Sequence, residues 1–223
     1  MHHNDNDEGM DAWLKERYDK YTGWFDRGEI DYSSKVIPVR ESFRKEQWVL
    51  PTAQVINVLK SSELIALTDC VCRSHYKRCD NPLDVCLLLD GFGQKFIEKG
   101  LAKQVRYGEA VSILKAANES GLVHLSLYRP DRNLFALCSC CACCCHDLQL
   151  LIKFGKERLV CHSDYVSATD TDLCSHCGEC VDRCVFGARS YSNGEMTYDP
   201  DRCFGCGLCV TSCPAKATTM EPR

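Results

Sequence analysis

The chain has 223 residues, 45% hydrophobic and 26% charged, with a formal net charge of −4. That size fits one large or two small folded domains, and the mildly acidic balance gives no support to a nucleic-acid or anionic-membrane partner. The anomaly is the 19 cysteines, because a disulfide scaffold is usually a secreted chain under about 80 residues. This chain is longer, and its polar, acidic first eight residues lack the apolar core of an export signal. Its longest apolar runs, such as Val85–Leu89, are too short for membrane insertion. The expectation is a cytoplasmic protein whose cysteines bind metal in a reducing compartment. An anaerobic host follows, since so many exposed thiols would oxidise readily.

In chain order, the first nine residues read as disordered. From Met10 to about Asp26, Trp13, Leu14, Arg17, Tyr21 and Trp24 recur at three- and four-residue steps. That period predicts an amphipathic helix, ended by Gly28. Its aromatic stripe reads first as core packing and second as a docking face. Residues 31–51 have extended character before Pro38 and Pro51 and read as an arm across the rest of the molecule. Thr52 is a candidate cap for a helix to about Lys60. Ile65–Thr68 reads as a strand and Gly91–Gly100 as a short helix. Tyr107–Ser120 is the clearest helix of the middle region, with Ala110, Val111, Leu114 and Ala117 on one face and Gly121 at its end. Residues 122–128 and 133–137 read as a hairpin. A helix followed by a hairpin also suits a winged helix, but net charge and dense cysteines argue against DNA.

The first strand delivers Cys70 and Cys72, followed by Cys79 and Cys86. The hairpin runs into Cys138, Cys140, Cys141, Cys143, Cys144 and Cys145, then His146. A buried free cysteine is a good small hydrophobe, but a core is not packed with so dense a run. On an extended strand Cys138 and Cys140 share one face, and Cys141, Cys143 and Cys145 the other. Either the strand ends at about Cys140 and the chain curls round a metal centre, or two centres form. Thiolate-rich ligation without histidine pairs favours iron–sulfur over copper or nickel. Zinc and a redox-active disulfide are the alternatives. Ten ligands exceed the four of one cubane, so one larger cluster or two clusters both remain open, with the type unassigned. Arg73, Lys77 and Arg78 read either as counter-charges to the thiolates or as a solvated loop.

Spacing excludes several familiar sites. Haem attachment by C-x2-C-H fails because position 142 is Ala142, and a C-x3-C-x2-C pattern from Cys140 fails at Asp147. Gly91 and Gly93 lack the third glycine of a dinucleotide loop, and no P-loop or nucleophile elbow is present. His75, His124 and His146 have no nucleophile partner in sequence and read as structural.

From about Ser163 the pattern changes. Cys174, Cys177, Cys180 and Cys184 form one C-x2-C-x2-C-x3-C run, and Cys203, Cys206, Cys209 and Cys213 a second, 29 residues later. A thiolate every third residue lets one loop wrap three corners of a cube, and the fourth faces away to ligate the other cluster. The expected sets are Cys174, Cys177, Cys180 and Cys213 for one [4Fe-4S] cluster, and Cys203, Cys206, Cys209 and Cys184 for the other. Zinc knuckles fit less well, since they usually pair two C-x2-C elements. Gly178 and Gly207 recur in the two halves and allow tight turns. Pro214 follows Cys213, but Val185 follows Cys184, which bears on packing more than on ligation. His176, inside the first loop, reads as a loop residue or as a hydrogen-bond partner that tunes the cluster. Residues 188–192 and 196–198 read as a hairpin about Asn193 and Gly194, with 217–220 as a closing strand.

These residues closely resemble the bacterial two-cluster [4Fe-4S] ferredoxin domain. The wider arrangement, from Cys70 and Cys72 through the Cys138–Cys145 block to the two runs, resembles the 4Fe-4S dicluster-domain proteins of anaerobes. The resemblance implies an α+β fold: a ferredoxin-like domain over 162–223, a mixed α/β Cys-rich domain over 51–161, and a helix and arm over 1–50. It implies two [4Fe-4S] clusters; the ten middle cysteines read, from their density and ligand type, as a further iron–sulfur centre of unknown type. The expected role is low-potential electron transfer, at roughly −400 mV, with a larger oxidoreductase as redox partner. No general acid or base is needed for that role. A reductive enzyme with an open-site cluster and a redox sensor are the alternatives.

Overall fold

The computed structural model describes residues 9–37, 53–130 and 133–223. The expectations for residues 1–8, for the arm beyond Ile37 and for a Thr52 cap lie outside these residues. Helix α1 (Ala12–Asp26) begins where Asp11 accepts the Leu14 N–H at 2.9 Å. Gly28, at φ +65°, follows its C-terminal turn. Tertiary packing of one face stabilises such a helix more than propensity does, and Leu14 is its buried anchor.

Seven strands form the central sheet: β1 (Ser34–Ile37), β2 (Ile65–Asp69), β3 (Asp84–Leu89), β4 (Lys103–Gln104), β5 (Val123–Tyr128), β6 (Leu134–Cys140) and β7 (Val160–Cys161). Their order is β4-β2-β3-β6-β5-β1-β7. All pairs are antiparallel except β1 with β7. The segment read as an arm is therefore partly a sheet strand. Ser34–Ile37 pairs with β5 from Ser34 opposite Leu127 to Ile37 opposite His124. Alternation explains the choice, since Val36 and Ile37 each bury against a different face of the sheet.

Register assigns the faces. Leu67, Leu87 and Leu137 lie in line across β2, β3 and β6. With Ile37, Ile65 and Leu89 they pack under α2 (Ala53–Ser61) and α5 (Tyr107–Glu119), through Leu59, Ala110 and Leu114. The opposite face carries Ala66, Leu88 and Ala136, covered by Phe92 and Phe96 of α4 (Asp90–Glu98). Further along that face Val36, Val123 and Leu125 pack with Leu14 of α1 and with Leu148 and Leu151 of α6 (His146–Phe154). Each fully buried leucine contributes about 1.5–3 kcal/mol before entropy is counted. The apolar run over 148–154 is thus a helix lying on the sheet.

The C-terminal part pairs β8 (Tyr165–Thr169) with β11 (Thr218–Pro222), and β9 (Arg189–Ser192) with β10 (Glu195–Tyr198). Asn193 and Gly194 both have positive φ, 53° and 85°, as a two-residue hairpin turn of this type requires. Two short helices, α7 (Glu179–Asp182) and α8 (Leu208–Ser212), complete it. The fold is α+β: a Cys-rich sheet-and-helix part followed by a small part in which the first and last strands pair and enclose one hairpin. Phe186, Cys206 and Leu208 of the latter enter the same apolar core as α1 and α6. Among the described residues, no helix is long and apolar enough to cross a membrane.

His124 illustrates the structural role read from sequence. It is buried in β5, with Nδ1 3.1 Å from the Ser139 hydroxyl, and burial lowers its pKa to about 3. The neutral ring is therefore the folded form. Its contribution is fully present above the unfolded value of about 6.5 and is lost as pH falls from there towards the folded value. The wild-type chain should lose urea resistance between pH 7 and pH 5 more steeply than His124→Gln. Parallel pH profiles of the two chains would contradict this.

Candidate metal centres

The two C-terminal loops are built alike. Gly178 and Gly207, at φ +83° and +75°, each sit just before a short helix and turn the chain from loop to helix. Cys180 and Cys209 fall in the first turns of α7 and α8; Cys184 and Cys213 follow the helices. The fold brings Cys184 beside the second loop. Burial, then the neighbouring Cys209, Cys184 and Cys203, push the Cys206 thiol up. Burial also raises Cys209, with Cys203 and Cys184 adding to it. Cys184, Cys203, Cys206 and Cys209 line one cavity. Cys180, raised chiefly by burial, has Cys213 as its thiol neighbour. Four sulfurs meet at the second loop and two at the first, the donor type an iron–sulfur cluster requires.

Local contacts fix the loops. His176, at φ +52°, accepts the Met196 N–H on Nδ1 at 3.1 Å, tying the first loop to β10. Val185 stands where the second run has Pro214, and it packs with Phe186 against the main core. Arg189, buried at the start of β9, donates to Ser167 Oγ at 3.0 Å and lies 3.8 Å from Cys180 Sγ. It also borders Cys209 electrostatically, so one guanidinium lies between the two thiol groups. Sequence reading missed Arg189, and no spacing pattern marks it.

Gly205 is the tightest point. At φ +71°, an added Cβ would collide with the Tyr165 carbonyl and approach Ser163 Cβ at 2.9 Å. Gly205→Ala should cost at least about 1–3 kcal/mol from overpacking, and more if the left-handed backbone is also strained. Anaerobic urea unfolding and iron content should both report it. An unchanged urea midpoint with full iron would refute the point.

The ten middle cysteines divide into two groups. Six close into a ring of neighbouring thiols: Cys70, Cys72, Cys145, Cys140, Cys138 and Cys86, the last adjoining Cys70 again. Hydrogen bonds from ring neighbours hold Cys70, Cys138 and Cys145 low. The same contacts raise Cys72, Cys86 and Cys140. Six such sulfurs cannot all ionise without a cation among them. The sheet explains the ring. Cys86 of β3 and Cys138 and Cys140 of β6 project from the same face as Leu88 and Ala136. Cys70 and Cys72 come from the end of β2 and from helix α3 (Val71–Tyr76).

The strand ends at Cys140, and the chain turns. The Cys145 N–H donates to the Cys141 carbonyl at 3.0 Å, and α6 begins at His146. This turn returns Cys145 to the ring instead of leaving it with Cys141 and Cys143, as an uninterrupted strand would. Cys79, Cys141, Cys143 and Cys144 form the other group, their Sγ atoms all within 4.8 Å of one another. They pack with Val85 of β3 and Ala117 of α5, which belong to the sheet face opposite the ring, and Cys72 of the ring borders the same cluster. Cys161 stands apart in β7. Among the described residues, no two cysteines are joined by a disulfide.

Arg73 lies between the groups. Only 1% exposed, it donates to the Ser139 carbonyl at 2.6 Å and to the Pro82 carbonyl. Cys70, Cys141 and Cys86 raise its pKa against the effect of burial. It is not a solvated loop residue. Arg78 instead bonds the Cys143 carbonyl at 3.1 Å and Gln149 at 2.7 Å. His146 is equally engaged, with Nδ1 3.1 Å from Cys72 Sγ and Nε2 2.7 Å from the Tyr21 hydroxyl. Trp13 stacks on His75 at 4.6 Å between ring centroids. The aromatic stripe of α1 therefore covers the Cys-rich region.

Residues 173–217 match the family model described as the 4Fe-4S dicluster domain. The match contains both cysteine runs and places a ferredoxin-type, iron–sulfur electron-transfer domain at the C-terminal end. No curated protein matches the chain.

Proposed function

We propose that this chain is a low-potential electron-transfer protein with two [4Fe-4S] clusters in crossed ligation and a further iron–sulfur centre at the ring of six thiols. The observation that carries the reading is a shared core. Cys184 and Cys206 of the ferredoxin-like part pack in the same apolar cluster as Cys138, Cys140 and Cys145 of the ring. Clusters bound at these thiols would supply one-electron transfer. The chain itself holds the sulfurs, excludes water and brings the second loop close to the ring. The first C-terminal loop carries Cys177, which is exposed, with Leu173 and Tyr191 exposed nearby in sequence and fold. That surface replaces the Trp13–Trp24 face as the docking region for a larger oxidoreductase, because Trp13 is engaged within its own chain.

Iron and sulfide quantitation with EPR on anaerobically purified full-length protein tests the reading. Two cubanes account for about eight irons. About twelve or more irons per chain, with a signal lost in Cys138→Ser but not in Cys206→Ala, supports the third centre. About eight irons, unchanged in Cys138→Ser, overturns it.

A further inference from the structure

The group of Cys79, Cys141, Cys143 and Cys144 has a geometry of its own. Their four Sγ atoms all lie within 4.8 Å of one another, with Cys79 to Cys141 and Cys143 to Cys144 both at 3.7 Å. Four thiolates around one tetrahedral ion at a metal–sulfur distance of about 2.3 Å stand about 3.8 Å apart. A cubane instead places four irons and four sulfides between its thiolates, which must then stand much further apart. The four sulfurs here are already at single-ion spacing.

Their surroundings suit a closed, structural site. The Asn81 side-chain amide donates to Cys79 Sγ at 3.5 Å. Arg78 donates to the Cys143 carbonyl at 3.1 Å, and Gln149 to the Cys144 carbonyl at 3.1 Å. These bonds fix the loop that carries three of the sulfurs, as partners beyond the ligands do at metal sites. Four thiolates around one divalent ion leave two negative charges. Arg73, hydrogen-bonded to the Cys141 thiol, and Arg78 bring two positive ones. Ligands from the loop after α3 and from the turn between β6 and α6 would be tied together, so the ion would cross-link these two segments.

We infer that Cys79, Cys141, Cys143 and Cys144 bind a single zinc ion tetrahedrally, as a structural site separate from the iron–sulfur ring on the other face of the sheet. All four positions are filled by protein, which leaves no open coordination site for chemistry.

The test is metal and sulfide analysis of the full-length protein, purified anaerobically from cells supplied with both iron and zinc. The expected result is one zinc per chain, lost in Cys143→Ser and Cys79→Ser, with iron and sulfide unchanged. Cys138→Ser should do the reverse, keeping zinc. The zinc result and the third-cluster result are therefore read out separately. X-ray absorption at the zinc edge of the wild-type chain covers the case of misfolded variants. Four sulfurs at about 2.3 Å support the site. A shell of nitrogen or oxygen, or no zinc, overturns it. So does a Cys143→Ser chain that loses iron, whether one ion without sulfide or several with it.

Discussion

Cys184→Ala is expected to damage the cluster wrapped by the loop of Cys203, Cys206 and Cys209, not the one in its own run. Cys184 follows α7, whose first turn carries Cys180. One turn of helix lies between the two thiols, so Cys184 is aimed away from the first loop and into the cavity lined by Cys203, Cys206 and Cys209. Removing this half-buried thiol would leave a cluster held there short of one protein ligand. The expected loss is up to about four irons per chain. The identity of the surviving cluster decides the matter. Its reduced EPR spectrum should match that of Cys206→Ala and differ from that of Cys177→Ala. By the same argument Cys213→Ala should resemble Cys177→Ala. If Cys184→Ala instead resembled Cys177→Ala, ligation would be confined within each run and the crossed sets would be wrong.

Arg73→Met is expected to have the second large effect. The guanidinium is buried, bonded to the carbonyls of Pro82 and Ser139, and flanked by Cys70, Cys86 and Cys141. Methionine keeps much of the volume but takes the guanidinium donors from the Pro82 and Ser139 carbonyls and leaves the thiolates without their counter-charge. Removing one partner of a buried charge pair costs about 3–5 kcal/mol. The loss should appear as a lower urea midpoint and as reduced metal content in the Cys-rich part, with the signals of the C-terminal clusters kept. Arg73→Lys should rescue only in part, because one ammonium cannot span two carbonyls as the planar fork does. A Met variant with wild-type stability and metal content would show that the thiol groups do not need this charge.

The spacing of the two C-terminal runs determined the ferredoxin-like part almost completely. A three-residue thiol repeat suits a loop wrapped round a cubane better than paired zinc knuckles, and the hairpin at Asn193 and Gly194 is set by backbone conformations that few residue pairs adopt. Local periodicity also determined α1, α5 and the β5–β6 hairpin. What local pattern could not decide were the pairings between distant segments. Ser34–Ile37 is short and extended, and only its partner β5, some 90 residues on, makes it a sheet strand. The middle cysteines show the same limit. Alternation along β6 correctly placed Cys138 and Cys140 together, but where the strand stops is set by the turn from Cys141 to Cys145. That turn, with Cys70, Cys72, Cys79 and Cys86 arriving from β2, α3 and β3, separates a ring of six from a group of four across the sheet. Arg73 likewise reads as one more charge in a polar loop, and becomes a buried counter-ion only when helix α3 closes over the ends of β3 and β6. Sequence fixes which side chains carry the chemistry; only tertiary pairing decides which of them share a site, because ligands to one centre are drawn from segments that meet only in the folded chain.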